Sequence, residues 1–79
     1  MFSREKFGRR LRRARKAAGE TQAQLGAALG LKKSQISELE AGTASTTLEK
    51  TVLICVHYRI SADYLLGLGE EPEECDAGE

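Results

Sequence analysis

Tryptophan is absent from this 79-residue chain, proline and histidine occur once each, and the aromatics are two tyrosines and two phenylalanines. No apolar run reaches the ~18 residues that a membrane span needs. The N-terminus, MFSREKFGRR, has no apolar stretch behind its charges, so it does not read as a signal peptide. The two cysteines, Cys55 and Cys75, form neither a C-x-x-C pair nor a disulfide framework, and the expectation is a cytoplasmic protein with reduced thiols. The lone histidine, His57, follows Cys55 by two residues, and on a helix the two point about 200° apart, too far for a dyad. With no carboxylate pair, glycine-rich phosphate loop or four-ligand metal set, the reading is not an enzyme, with no cofactor and no metal. A chain this short buries only about 60% of its unfolded surface, enough for one small domain.

A net charge of zero hides a strong asymmetry. Residues 1–33 carry ten Lys and Arg against Glu5 and Glu20, a balance of +8, while residues 34–79 carry Lys50 and Arg59 against ten acids, a balance of −8. The basic half is a candidate phosphate surface.

The apolar pattern is helical throughout. Phe7, Leu11, Ala14 and Ala18 make one stripe on a helix from about Arg4 to Ala18, with Gly19 suited to a left-handed end. Thr21 and Gln24 form a capping box for a second helix that buries Leu25 and Leu29 and stops at Gly30, and its small Gly26 and Ala28 allow a neighbouring helix to approach closely. A third helix, about Lys33 to Ala41, buries Ile36 and Leu39 and ends at Gly42. Thr46 and Glu49 suggest another capping box and a fourth helix over about 47–57, with Leu48, Val52 and Cys55 inward. Ser61 caps a fifth, Ala62 to Leu66. The division expected is a domain over 1–69 and an acidic tail over 70–79, poor in apolar residues and so disordered.

Within this series, residues 21–40 (TQAQLGAALGLKKSQISELE) read as two short amphipathic helices about a tight turn at Gly30, the second led by Lys32-Lys33-Ser34-Gln35. That is the pattern of a helix-turn-helix DNA reader. The ordered set FGRRLRRARKAAG, TQAQLGAALGL, SQISELEAG and ISADYLLG resembles the Cro/C1-type (XRE-family) helix-turn-helix regulators over about residues 6–67. The resemblance implies an all-α, compact five-helix bundle of lambda-repressor-like architecture that binds a palindromic operator as a dimer. It places Gln22 at a DNA phosphate and Lys32, Lys33, Ser34 and Glu38, with Gln35 and Ser37, on the base-facing side of the third helix. It also pairs Arg15 with Glu40 as a structural tie.

Lysine is a donor suited to guanine and glutamate an acceptor suited to cytosine, so a G·C-containing half-site is expected. Two lysines at a helix start oppose the macrodipole, at a cost of about 0.3–1 kcal/mol each, which phosphates would offset. The loop over 42–46 lacks the basic residues that many relatives have, Glu20 stands where an apolar residue is usual, and with the loop neutral backbone affinity is expected from the first helix, through Arg9, Arg10, Arg12 and Arg13, with Arg9 and Arg10 foremost. Leu53, Val56, Ile60 and Leu66 are candidates for an exposed dimer patch.

The function expected is a sequence-specific transcriptional regulator, a repressor acting as a homodimer on double-stranded DNA in the cytoplasm, on the nucleoid. The alternative is an antitoxin or other protein-interaction module on the same scaffold, reaching a protein partner through the acidic tail.

Overall fold

Ser3 opens the first helix: its Oγ accepts a hydrogen bond from the Lys6 N–H at 3.1 Å, satisfying a donor that the helix cannot pair internally. The computed structural model describes residues 2–68. Within them lie α1 (Arg4–Ala17), α2 (Gln22–Leu29), α3 (Lys33–Ala41), α4 (Leu48–Tyr58) and α5 (Ala62–Leu66), with no strand among the described residues. The acidic tail and Cys75 lie outside the described residues. α1 ends one residue earlier than its apolar pattern suggests. Ala18 is its exposed cap, so the buried stripe is Phe7 and Leu11, with Ala14 half-covered.

The core is built from Phe7 and Leu11 of α1, Leu25 and Leu29 of α2, Ile36 and Leu39 of α3, Ile54 of α4 and Leu65 of α5. α3 packs against both α1 and α2, while α5 packs against α1 and α4. Gly8 sets the α1–α3 distance. A Cβ there would lie 2.5 Å from the Leu39 carbonyl oxygen and would also strike that of Glu40, so any other residue would push the backbones apart. Gly26 works differently from the helix contact expected of it. Its neighbour is the Leu31 carbonyl, and its own carbonyl accepts from the Leu31 N–H at 2.8 Å, which closes the turn between α2 and α3. Ala28 is exposed.

α4 departs most from expectation. Its cap is Thr47, whose hydroxyl accepts from the Lys50 N–H at 3.1 Å; a Thr46–Glu49 box does not form. The inward residues are Thr51 and Ile54, with Cys55 and Tyr58 half-buried, whereas Leu48 is 81% exposed and Val52 60% exposed. Apolar residues surround this helix, so the pattern alone does not choose a face. One polar contact, from Lys50, ties it to α2. Lys50 Nζ reaches the Leu29 carbonyl at the end of α2 (2.8 Å), and the Thr51 hydroxyl donates to the Thr47 carbonyl (2.9 Å). Both polar side chains are thereby satisfied on the buried side. Burial raises the pKa of the Cys55 thiol, consistent with a packing role.

Candidate nucleic-acid interface

The α2–α3 unit is set by its caps. Thr21 Oγ1 accepts from the Gln24 N–H (3.1 Å) and Gln24 Oε1 accepts from the Thr21 N–H (2.8 Å), a reciprocal capping box. Gly30 ends α2 at φ +73°, a left-handed conformation that a side chain would strain, and Leu31 is half-buried beside the core. α3 has a lysine at its cap position, which has no oxygen to offer. Gln35 supplies the other half of a capping box: its Oε1 accepts from the Lys32 N–H at 2.8 Å. Gln35 thus spends its acceptor on the start of its own helix, leaving its amide N–H groups for a ligand.

Beyond that cap, Lys32, Lys33, Ser34, Gln35, Ser37 and Glu38 are all exposed, while Ile36 and Leu39 are buried. The outer edge of α3 is therefore continuous, polar and led by two cations. Along its flank runs a shallow groove of about 100 Å³ lined by Leu31, Gln35, Glu38, Leu39 and the loop residues Ala44, Ser45 and Thr46. The loop is neutral, yet it carries hydroxyls, and Thr43 is pinned by its N–H and Oγ1, both bonded to the Glu38 carbonyl (3.1 and 3.3 Å). Hydroxyls and backbone N–H groups contact phosphates without net charge. A reading by charge passes over the hydroxyl residues that line this groove, Ser45 and Thr46.

The opposite flank of α3 is held by Glu40, whose side chain is only 4% exposed. Arg15 Nε donates to Glu40 Oε2 at 2.6 Å and its Nη2 donates to Oε1 at 3.1 Å, while Nη1 donates to the Glu20 carbonyl at 2.7 Å. Gln22 Nε2 donates to Glu40 Oε1 at 3.1 Å. One carboxylate therefore joins α1, α2 and α3, and the bidentate pair holds the Arg15 guanidinium in its charged form. Gln22 is half-buried in this network, turned toward Glu40, although it stands at the start of α2 where a phosphate contact is expected.

Two further expectations change. Arg10 is 4% exposed: its guanidinium lies 4.7 Å over the Tyr64 ring and Nη1 donates to the Tyr64 carbonyl. It joins α1 to α5 by stacking and hydrogen bonding, so this buried side chain is not the phosphate contact expected of it. Arg9 is exposed, on the side of α1 turned away from the core. The four apolar residues expected to make one patch separate. Leu53 and Val56 are exposed on α4, beside Leu48 and Val52, whereas Ile60 and Leu66 pack against the core. Ile60 lines a groove with Arg13, Ala14 and Tyr64; Leu66 lines another, of about 280 Å³, with Phe2, Phe7, Ala44 and Leu48.

A second carboxylate cluster ties α4 to the α1–α2 loop. Glu20 Oε1 accepts from the Tyr58 hydroxyl at 2.8 Å, and Glu20 Oε2 lies 2.9 Å from His57 Nε2. The Tyr58 hydrogen bond, aided by His57, holds the Glu20 carboxyl below its ordinary range, and burial together with Glu20 pushes the Tyr58 phenol up. The acid at position 20 thus makes a polar contact with the adjacent His57-Tyr58 pair. Among the described residues no group of three or more His, Cys, Asp or Glu could hold a metal ion, and no helix is long and apolar enough to cross a membrane.

Residues 6–66 match the model of a helix-turn-helix domain family. The chain is similar to the uncharacterized HTH-type transcriptional regulator YobD of Bacillus subtilis (strain 168), 38% identical over 67 residues, which is 85% of this chain and 60% of that protein. Its fold is similar to that of the P22 c2 repressor solved in complex with a synthetic operator: TM-score 0.72, 32% identity, 76% of this chain and 91% of the other. It is likewise similar to the restriction-modification controller protein C.AhdI of Aeromonas hydrophila: TM-score 0.71, 31% identity, 78% of this chain and 94% of the other.

Proposed function

Because the chain belongs to the helix-turn-helix domain family of DNA-binding transcriptional regulators, we propose that it is a repressor that binds a palindromic operator as a homodimer, with α3 in the major groove. The observation that carries this reading is the unobstructed outer edge of α3. Lys32, Lys33, Ser34, Ser37 and Glu38 stand exposed on a helix whose other side is fixed by Ile36, Leu39 and the Glu40–Arg15 pair. A reader needs that combination, since a recognition side chain gains specificity only if its helix does not rock.

Lys33 donates to guanine and Glu38 accepts from cytosine, while Ser34 and Ser37 serve either base or phosphate. Gln35 retains its amide N–H groups for the DNA, and Gln22, at the start of α2, faces a phosphate on release from Glu40. The hydroxyls of Ser45 and Thr46 hold the backbone on the far flank of α3. The exposed α4 row of Leu48, Val52, Leu53 and Val56 supplies the contact between two copies. The two α3 helices then lie about 34 Å apart, one turn of DNA. The protein acts in the cytoplasm, on the nucleoid, by occupying its operator.

Selection of bound sequences from a random duplex pool tests this. The expected result is an inverted repeat with half-site centres about one helical turn apart, bound with a log–log salt slope set by the phosphates neutralised. Recovery of unrelated sequences, bound with equal strength, would refute it.

A further inference from the structure

Four cations follow one flank of α1: Lys6, Arg9, Arg13 and Lys16, at spacings i, i+3, i+7 and i+10. At 3.6 residues per turn they fall within an arc of roughly 80°. Arg9 and Lys16 are exposed, and Lys6 and Arg13 are half-buried. Gly8 and Arg15, through which α1 meets Leu39 and Glu40 of α3, lie on the other side of the helix. Since α1 and α3 pack through their buried sides, this stripe and the outer edge of α3 look in different directions. The stripe is therefore a strongly charged surface that reading of DNA by α3 does not use. Glu5, the one acid of α1, lies one turn before Arg9 at the N-terminal end of this flank, where it accepts from the Ser3 hydroxyl and packs against Gly42.

The chain leaves the bundle beside this stripe. Gly67 sits so close to α1 that a Cβ on it would lie 2.9 Å from Lys6 Cδ and 3.7 Å from Arg10 Nη1, and the Leu68 N–H is held by the Asp63 carbonyl at 2.9 Å. The eleven residues that follow, GEEPEECDAGE, contain six acids and no Lys or Arg. Lys6 to Lys16 spans about 15 Å of helix. Seven residues from Gly69 to Cys75 extend to about 23 Å. The acidic segment starts at one end of the stripe, carries the complementary charge and is long enough to follow it to the other end.

From this charge complementarity and point of exit, we propose that residues 70–79 dock on the Lys6–Arg9–Arg13–Lys16 stripe of the same chain. The segment is an internal counter-ion. It neutralises a cationic face that would otherwise hold any duplex through phosphate attraction, and it leaves the edge of α3 open. Tethering raises its local concentration to the millimolar range, so weak ion pairs suffice.

The test uses the full chain without DNA, so its outcome is separate from that of the operator reading. A nitroxide is attached to Cys75; the half-buried Cys55 reacts poorly, and Cys55→Ala serves as the single-site control. At low salt the amide signals of α1 from Lys6 to Lys16 should lose intensity, and they should recover it in 1 M NaCl, where the screening length falls to about 3 Å. Recovery is also expected at low salt in the Arg9→Glu/Lys16→Glu variant and, with the folded part unaltered, in Glu70→Gln/Glu71→Gln/Glu73→Gln/Glu74→Gln. Loss of intensity on the outer edge of α3, loss spread evenly over the domain, or none at all would each overturn the proposal.

Discussion

Glu40 and Glu20 do similar work at two places in the same small bundle, and their difference is instructive. Each is a carboxylate that ties one helix to another part of the chain. Glu40 is almost fully enclosed and takes three donors from Arg15 and Gln22, whereas Glu20 is partly open to solvent and meets a phenol and an imidazole. A buried bidentate pair makes each partner indispensable, because removing one strands the other's charge. An open cluster leaves water to take over the lost contact. The bundle thus concentrates its electrostatic dependence at the root of α3, the element that has to be held still.

Replacing Glu40 by Ala gives the largest effect expected. It leaves Arg15 buried without its carboxylate, and the loss, read from urea unfolding at neutral pH, should be about 3–5 kcal/mol. A loss below about 1 kcal/mol would place Glu40 in the same class as Glu20 and dissolve the contrast.

Glu20→Gln is the smaller counterpart, expected to cost about 1 kcal/mol at neutral pH. Its signature is in the pH dependence. The folded carboxyl titrates below its ordinary value of 4.5. Its contribution is therefore present above that pH and is lost as the pH falls through the lower, folded value. Urea midpoints of the parent should fall more steeply than those of the variant below pH 4.5, and parallel curves would show that Glu20 is not a contributor.

An effect of similar size is a gain. Arg59 ends α4 at φ +57°, a left-handed position filled without glycine. Arg59→Gly should stabilise the fold by about 1 kcal/mol, raising the melting temperature by a few degrees. No change would mean that the Arg59 side chain offsets its own strain.

How far the sequence reveals this molecule depends on how one-sided each helix is. α3 has only Ile36 and Leu39 as large apolar residues, three apart, so its buried side, its ends and its exposed edge are readable from spacing alone. α4 has apolar residues all round, so periodicity does not choose Thr51 and Ile54 over Leu48 and Val52; the polar contact that ties the helix to α2, Lys50 to Leu29, joins residues 21 apart and has no periodic signature. For the same reason the Arg15–Glu40 tie, 25 residues apart, comes from resemblance rather than spacing, and the Arg10–Tyr64 stack leaves no trace in the apolar pattern. A charged residue on a basic helix reads as a surface group until the fold brings an aromatic ring beneath it.

The most direct test of the central claim compares the parent and Lys33→Ala on the selected duplex and on duplexes changed at one base pair at a time. Lys33 lies on the exposed edge of α3. The expected result is a loss of about 1–3 kcal/mol on the selected duplex, with discrimination relaxed at one position of each half-site and kept at the others. An equal loss on every duplex, selected or not, would contradict base reading by α3.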